Sequence, residues 1–134
     1  MMKLCQTRLR SNLKNARGLG SSKDGVSHWW TQRLTAIALV PIMIWFVILM
    51  IRVSNAIHPE QVAVLFASPL NVVIGCVGIV ISLYHGFLGI VVVIEDYVHC
   101  EKGKTVTIIF CRLLTILTGA AGLYTLITLH FHAI

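Results

Sequence analysis

Three long apolar stretches constrain this chain more than any other feature. Leu34 to Ile51 reads LTAIALVPIMIWFVILMI without a formal charge. Leu70 to Ile94 contains no Lys, Arg, Asp or Glu and carries His85, and a third run from about Thr107 to Leu129 holds Arg112 near its start. A hydrocarbon core about 30 Å thick is crossed by roughly 20 apolar residues as a helix, which satisfies its own backbone polar groups. The pattern therefore predicts an all-α integral membrane fold with three transmembrane helices. Composition excludes the soluble alternative. With 57% hydrophobic and 12% charged residues, against roughly 25% charged in soluble domains, 134 residues could not hide this much apolar surface in one small core.

Charge placement suggests an orientation. Seven of the eleven Lys and Arg residues (Lys3, Arg8, Arg10, Lys14, Arg17, Lys23 and Arg33) precede the first run. Arg52 lies in the first connection, Lys102, Lys104 and Arg112 lie around the second, and none follows the third run. Because cytoplasmic loops retain Lys and Arg, the N-terminus and second connection are expected inside and the C-terminus outside. Residues 1–33 read as a basic N-terminal cytoplasmic segment and 34–134 as the three-helix anchor. A nucleic-acid binder would spread its charge over a folded basic face, so no nucleic-acid partner is expected.

The connections Arg52–Pro69, broken by Pro59 and Pro69, and Glu95–Val106, with Gly103 as a turn residue, are too short for domains. Pro41 is expected to kink the first span, and Trp29 and Trp30 to sit at the inner interface. Cys5, Cys76, Cys100 and Cys111 show neither CxxC nor metal-finger spacing and are expected as reduced thiols. No secretory signal is expected. The Arg-rich, acid-poor start also suits a mitochondrial transit peptide, so the mitochondrial inner membrane stands as the alternative to the bacterial one.

The second run carries the chemistry. Gly75, Gly78, Ser82, His85, Gly89 and Asp96 recur at helical spacing and share one side. Small residues let a helix or a flat cofactor approach the backbone closely. His85, roughly at mid-membrane, needs a partner to offset its burial. It either bonds a neighbouring helix or offers one nitrogen to a metal while the other donates, for instance to the Ile81 carbonyl. With Gly86 and Gly89 beside it, the metal reading points to haem iron. Asp96 and Tyr97 fall about 16 Å further along, at the inner surface, at the level of Arg33 and Arg112. A site of Arg33, Asp96 and Tyr97 suits an amphipathic molecule such as a quinone. Interfacial anchoring explains the same residues, and is the preferred role of Arg112. His28, His58, His99, His130 and His132 fall outside the apolar runs or at the chain end, and the His130/His132 pair is too small a donor set for a metal.

GLGSSKDGVSHWWTQRLTAIAL (Gly18 to Leu39) and YHGFLGIVVVIEDYV (Tyr84 to Val98) together resemble the hydrophobic membrane-anchor subunits of succinate dehydrogenase, respiratory complex II. The match is to the smaller anchor in its alphaproteobacterial form. The most specific part is His85-Gly86 followed by Asp96-Tyr97, supported by Arg33-x-Thr35-Ala36. The resemblance implies a b-type haem shared with a second cytochrome b anchor subunit, each subunit giving one axial histidine, here His85. It implies that Tyr97, with Asp96 beside it, binds the ubiquinone head group, and that Arg33 lies near the haem propionates and the quinone. The soluble iron–sulfur and flavoprotein subunits would be separate chains, so this chain would complete no active site alone. The family's histidine before the arginine differs in spacing from His28, which is therefore not assigned. A small helical proton-coupled transport or assembly protein, with His85 and Asp96 on a proton path, is the reading from another class. A fumarate reductase anchor shares the architecture.

Overall fold

The computed structural model describes residues 22–134 and is all-helical over that range. Helix α1 spans Ser22–Ser54, α2 Pro59–Ala67, α3 Pro69–Tyr97 and α4 Glu101–Ala133. Three of them, α1, α3 and α4, are long and apolar enough to cross a membrane. Their 33, 29 and 33 residues correspond to about 43–50 Å at 1.5 Å per residue, well beyond the hydrocarbon thickness. The ends of the helices therefore continue into the interface, which the apolar runs alone do not delimit. Most of the basic stretch before the first span, and Cys5, lie outside the described residues.

Several local expectations are corrected. The first connection is not an open loop, because Pro59–Ala67 forms α2. Both prolines there start helices, Pro59 in α2 and Pro69 in α3, since the first helical position needs no N–H donor and favours proline's fixed φ. Gln61 steadies the start of α2 by accepting the Ile57 N–H at 2.9 Å. Gly103 is not in the turn but inside α4. The second connection shrinks to Val98–Cys100, and no residue there needs a positive φ. Helix α1 covers Ser22–Ser54, so His28, Trp29, Trp30 and Arg33 are helical and Pro41 lies inside the helix. Cys76 and Cys111 are free, but Cys100 is disulfide-bonded. Such pairing depends on spatial approach, which sequence spacing does not encode.

Burial is inverted relative to a soluble domain. Only Leu49, Leu88 and Ile94 are buried apolar residues among those described, while side chains such as Leu34, Val73 and Leu117 are about two-thirds exposed or nearly so. Lipid, not protein, is the partner of most of the surface, so packing relies on close backbone approach. The central helix α3 packs against both α1 and α4. A Cβ on Gly75 would come within 2.8 Å of Leu126, one on Gly78 within 3.0 Å of Ile42, and one on Gly119 within 3.2 Å of Leu83. In each pairing the partner's number falls as that on α3 rises, as antiparallel neighbours require. Threonine hydroxyls along α4, at Thr107, Thr115, Thr118, Thr125 and Thr128, donate to carbonyls one turn back at 2.8–2.9 Å. No hydroxyl among these five is left unpaired in the apolar medium.

The end formed by Ser54, α2 and the C-terminus is closed by polar side chains. Trp45 Nε1–H donates to Asn71 Oδ1 at 3.2 Å, and Asn71 Nδ2–H donates to the Leu65 carbonyl at 2.9 Å. His130 Nδ1–H donates to the Phe66 carbonyl at 2.8 Å. These last two bonds satisfy carbonyls in the final turn of α2, which lack partners within the helix.

Candidate functional site at the basic end

The opposite end, where α1 begins and α3 turns into α4, gathers the residues singled out in the sequence. His85 does not use the Ile81 carbonyl. Its Nδ1 lies 2.9 Å from Thr35 Oγ1 on α1. The Thr35 hydroxyl is itself 2.8 Å from the Thr31 carbonyl and 3.0 Å from the Gln32 carbonyl. Carbonyls only accept, so the hydroxyl proton is committed to them and the Thr35 oxygen accepts from His85 Nδ1–H. In this arrangement the lone pair lies on Nε2, which accepts no hydrogen bond from any described residue. His85 is half-buried, and Nε2 is not among the enclosed, unpaired polar atoms.

The predicted face of α3 is real and is turned largely toward α1. Gly78 meets Ile42, His85 meets Thr35, and Gly89 lies where a Cβ would stand 3.6 Å from Gln32 Nε2. Gly75, Gly78 and Ser82 line an apolar groove of about 410 Å³ with Leu39, Ile42 and Leu126. Gly86, next to His85, has no atom within 4 Å of where its Cβ would be, so the backbone there is open. One turn and two turns before Thr35, the same stripe of α1 carries Gln32 and His28. Gln32 Oε1 and His28 Nε2 are enclosed yet have no hydrogen-bond partner. Enclosed polar atoms without partners are costly and uncommon in native structures, which marks this seam as incomplete in the isolated chain.

Tyr97 and Asp96 occupy the last positions of α3. Carbonyls of its final turn are held by Val98 N–H to Ile94 at 2.9 Å, Lys104 Nζ to Glu95 at 3.2 Å and His99 Nδ1–H to Tyr97 at 3.1 Å. The backbone is pinned while the side chains point outward: Tyr97 is 78% exposed and Asp96 is exposed as well. Arg33 is not drawn to them. Its guanidinium lies over the Trp29 ring, 4.5 Å from the centroid, a cation–π contact. With Gln32 set against Gly89, Asp96 is about 10 Å further toward the basic end. Arg33, Asp96 and Tyr97 are each exposed, and Arg33 is separate from the Asp96–Tyr97 pair. Arg112 lies over Phe87, 5.7 Å from its centroid, at one end of a groove of about 450 Å³ between α3 and α4.

The sequence reading missed Thr35 as a partner of His85 and set His28 aside. The recurrence of His28, Gln32 and Thr35 at helical spacing was the available signal, but the Thr35–His85 contact appears only when α1 is set beside α3.

Residues 7–121 match the family described as the succinate dehydrogenase/fumarate reductase transmembrane subunit. The chain belongs to that family. Among similar proteins, the succinate dehydrogenase hydrophobic membrane anchor subunit of Rickettsia bellii is 36% identical over 113 residues, covering 84% of this chain and 89% of that protein. The protein of the same name from Rickettsia typhi is 35% identical over 115 residues, covering 84% and 89%. That of Paracoccus denitrificans is 29% identical over 121 residues, covering 90% and 92%. No solved structure matches the chain. This member of the succinate dehydrogenase anchor family is a multi-pass protein of the bacterial inner membrane.

For the haem that the resemblance implies, the residues present fit. His85 Nδ1 is engaged by Thr35, its Nε2 has no partner among the described residues, and its neighbour Gly86 offers open backbone. No cluster of three or more His, Cys, Asp or Glu able to hold a metal occurs among the described residues.

Proposed function

We propose that this chain is the smaller membrane anchor of a succinate:ubiquinone oxidoreductase. It would ligate one side of a b-type haem through His85 and contribute Tyr97, Asp96 and Arg33 to a ubiquinone site completed by partner subunits. The observation that carries the reading is the Thr35–His85 hydrogen bond, which engages Nδ1 while Nε2 has no partner among the described residues. The other cytochrome b anchor subunit would supply the second histidine that holds the haem. The exposed edge of Asp96 and Tyr97 is covered by the iron–sulfur subunit, which passes on electrons from succinate oxidised at the flavoprotein subunit. The basic end faces the cytoplasm, in keeping with its Lys and Arg content.

Reduction of the quinone consumes two electrons and two protons. Tyr97 donates its phenolic hydrogen bond to a quinone carbonyl, Asp96 orients neighbouring groups and relays protons from the aqueous side, and Arg33 supplies positive charge. A b-type haem bound at His85 supplies a one-electron carrier near the quinone. The test is purification of the full complex in mild detergent with each of two variants. His85→Ala is expected to lose the haem visible spectrum, and an unchanged spectrum would refute the ligand assignment. Tyr97→Phe is expected to depress succinate-driven quinone reduction at least tenfold while succinate oxidation with an artificial acceptor continues. Equal loss of both activities would argue for a purely structural tyrosine.

A further inference from the structure

Thr35 is tied to three groups at once: it donates to the Thr31 and Gln32 carbonyls at 2.8 and 3.0 Å, and it faces His85 Nδ1 at 2.9 Å. A threonine hydroxyl has one proton and two lone pairs, and here the proton is taken by the helix backbone. We infer that Thr35 is a positioning residue for His85: its oxygen accepts the Nδ1–H, fixes the ring's tautomer and orientation, and directs the Nε2 lone pair away from α1. This rests on the reading of His85 as a haem ligand and extends it to the residue that prepares the ligand.

Two features make the arrangement directional. The back-bond to Thr31 holds Oγ1 in one position, so the acceptor cannot rotate away. The antiparallel approach of α1 and α3 at Gly78 and Gly89 sets the distance across which the bond forms. A ligating histidine gains basicity when its other N–H is hydrogen-bonded, and partners of this kind tune the metal they never touch. Withdrawing the acceptor makes the imidazole a weaker donor, which favours ferrous over ferric iron. Thr35→Val keeps shape and volume and removes only the hydroxyl, whereas Thr35→Ser restores it.

The experiment is a redox titration of the haem in the purified whole complex, with the ferric low-spin EPR signal as a second readout. Thr35→Val is expected to raise the haem midpoint potential and change the spread of g-values, with subunit composition unchanged. Thr35→Ser is expected to return both to wild-type values. If Thr35→Val matches wild type in potential and EPR while His85→Ala loses the haem, the positioning role is wrong and the ligand reading stands. If His85→Ala keeps a wild-type haem, the ligand reading itself fails. If neither Thr35→Val nor Thr35→Ala assembles but Thr35→Ser does, the hydroxyl clamps the two helices instead of preparing a ligand, and the inference is overturned.

Discussion

The two ends of this bundle treat their polar groups differently. At the end closed by α2, Trp45 donates to Asn71, while Asn71 and His130 donate to the free carbonyls of Leu65 and Phe66. At the basic end the last carbonyls of α3 are also held, yet His28 Nε2 and Gln32 Oε1 are enclosed without partners, and Tyr97 is 78% exposed. In a low-dielectric surrounding an unpaired polar group is expensive, so a region that completes its own hydrogen bonds reads as structure. A region that leaves them open reads as a surface awaiting another component. The difference separates a self-completed clamp from the end to which the proposed function assigns the work of the complex.

The contrast can be broken most sharply by pairing His85→Ala with Asn71→Ala. His85→Ala is expected to abolish the haem spectrum with little change in helix content by circular dichroism. Asn71→Ala should leave the spectrum intact while lowering thermal stability, because the Trp45 N–H and the Leu65 carbonyl lose their partner at about 1–3 kcal/mol for each such group. A spectrum lost in Asn71→Ala at full assembly would erase the division between the ends. Next in size, Gly78→Leu is expected to cost about 1–3 kcal/mol by forcing Ile42 away from α3, and it should disturb both ends through the shared helix contact; differential scanning fluorimetry of the complex reads it. A smaller effect is expected from His130→Ala, about 1 kcal/mol for one hydrogen bond, with quinone reduction unaltered. Unimpaired stability would show that the Phe66 carbonyl finds water instead.

Much of the architecture was legible because the membrane simplifies it. Long apolar runs with at most one charge, Arg112 in the third, identified the spans, and helical spacing placed Gly75, Gly78, Ser82, His85 and Gly89 on one side of α3 before any packing was known. The limits of the helices were not legible, since hydropathy marks where lipid ends and not where backbone hydrogen bonding ends. Hence α1 starts at Ser22, ahead of Leu34, and α2 occupies a stretch that read as loop. Proline was ambiguous for a similar reason: Pro59 and Pro69 can break a helix or open one, and the neighbouring chain decides.

The amino-acid order alone determined a three-span helical anchor, its apolar faces, and the candidates His85, Asp96, Tyr97 and Arg33, because each follows from local composition, from one-dimensional spacing or from a motif contained in one segment. Tertiary structure alone decided that His85 leans on Thr35 and not on Ile81, that Arg33 stacks on Trp29 away from Asp96, and that one end closes while the other stays open. Those outcomes depend on the register between α1 and α3, fixed where glycines let two backbones approach, and a register between helices is a property of pairs that no single segment carries.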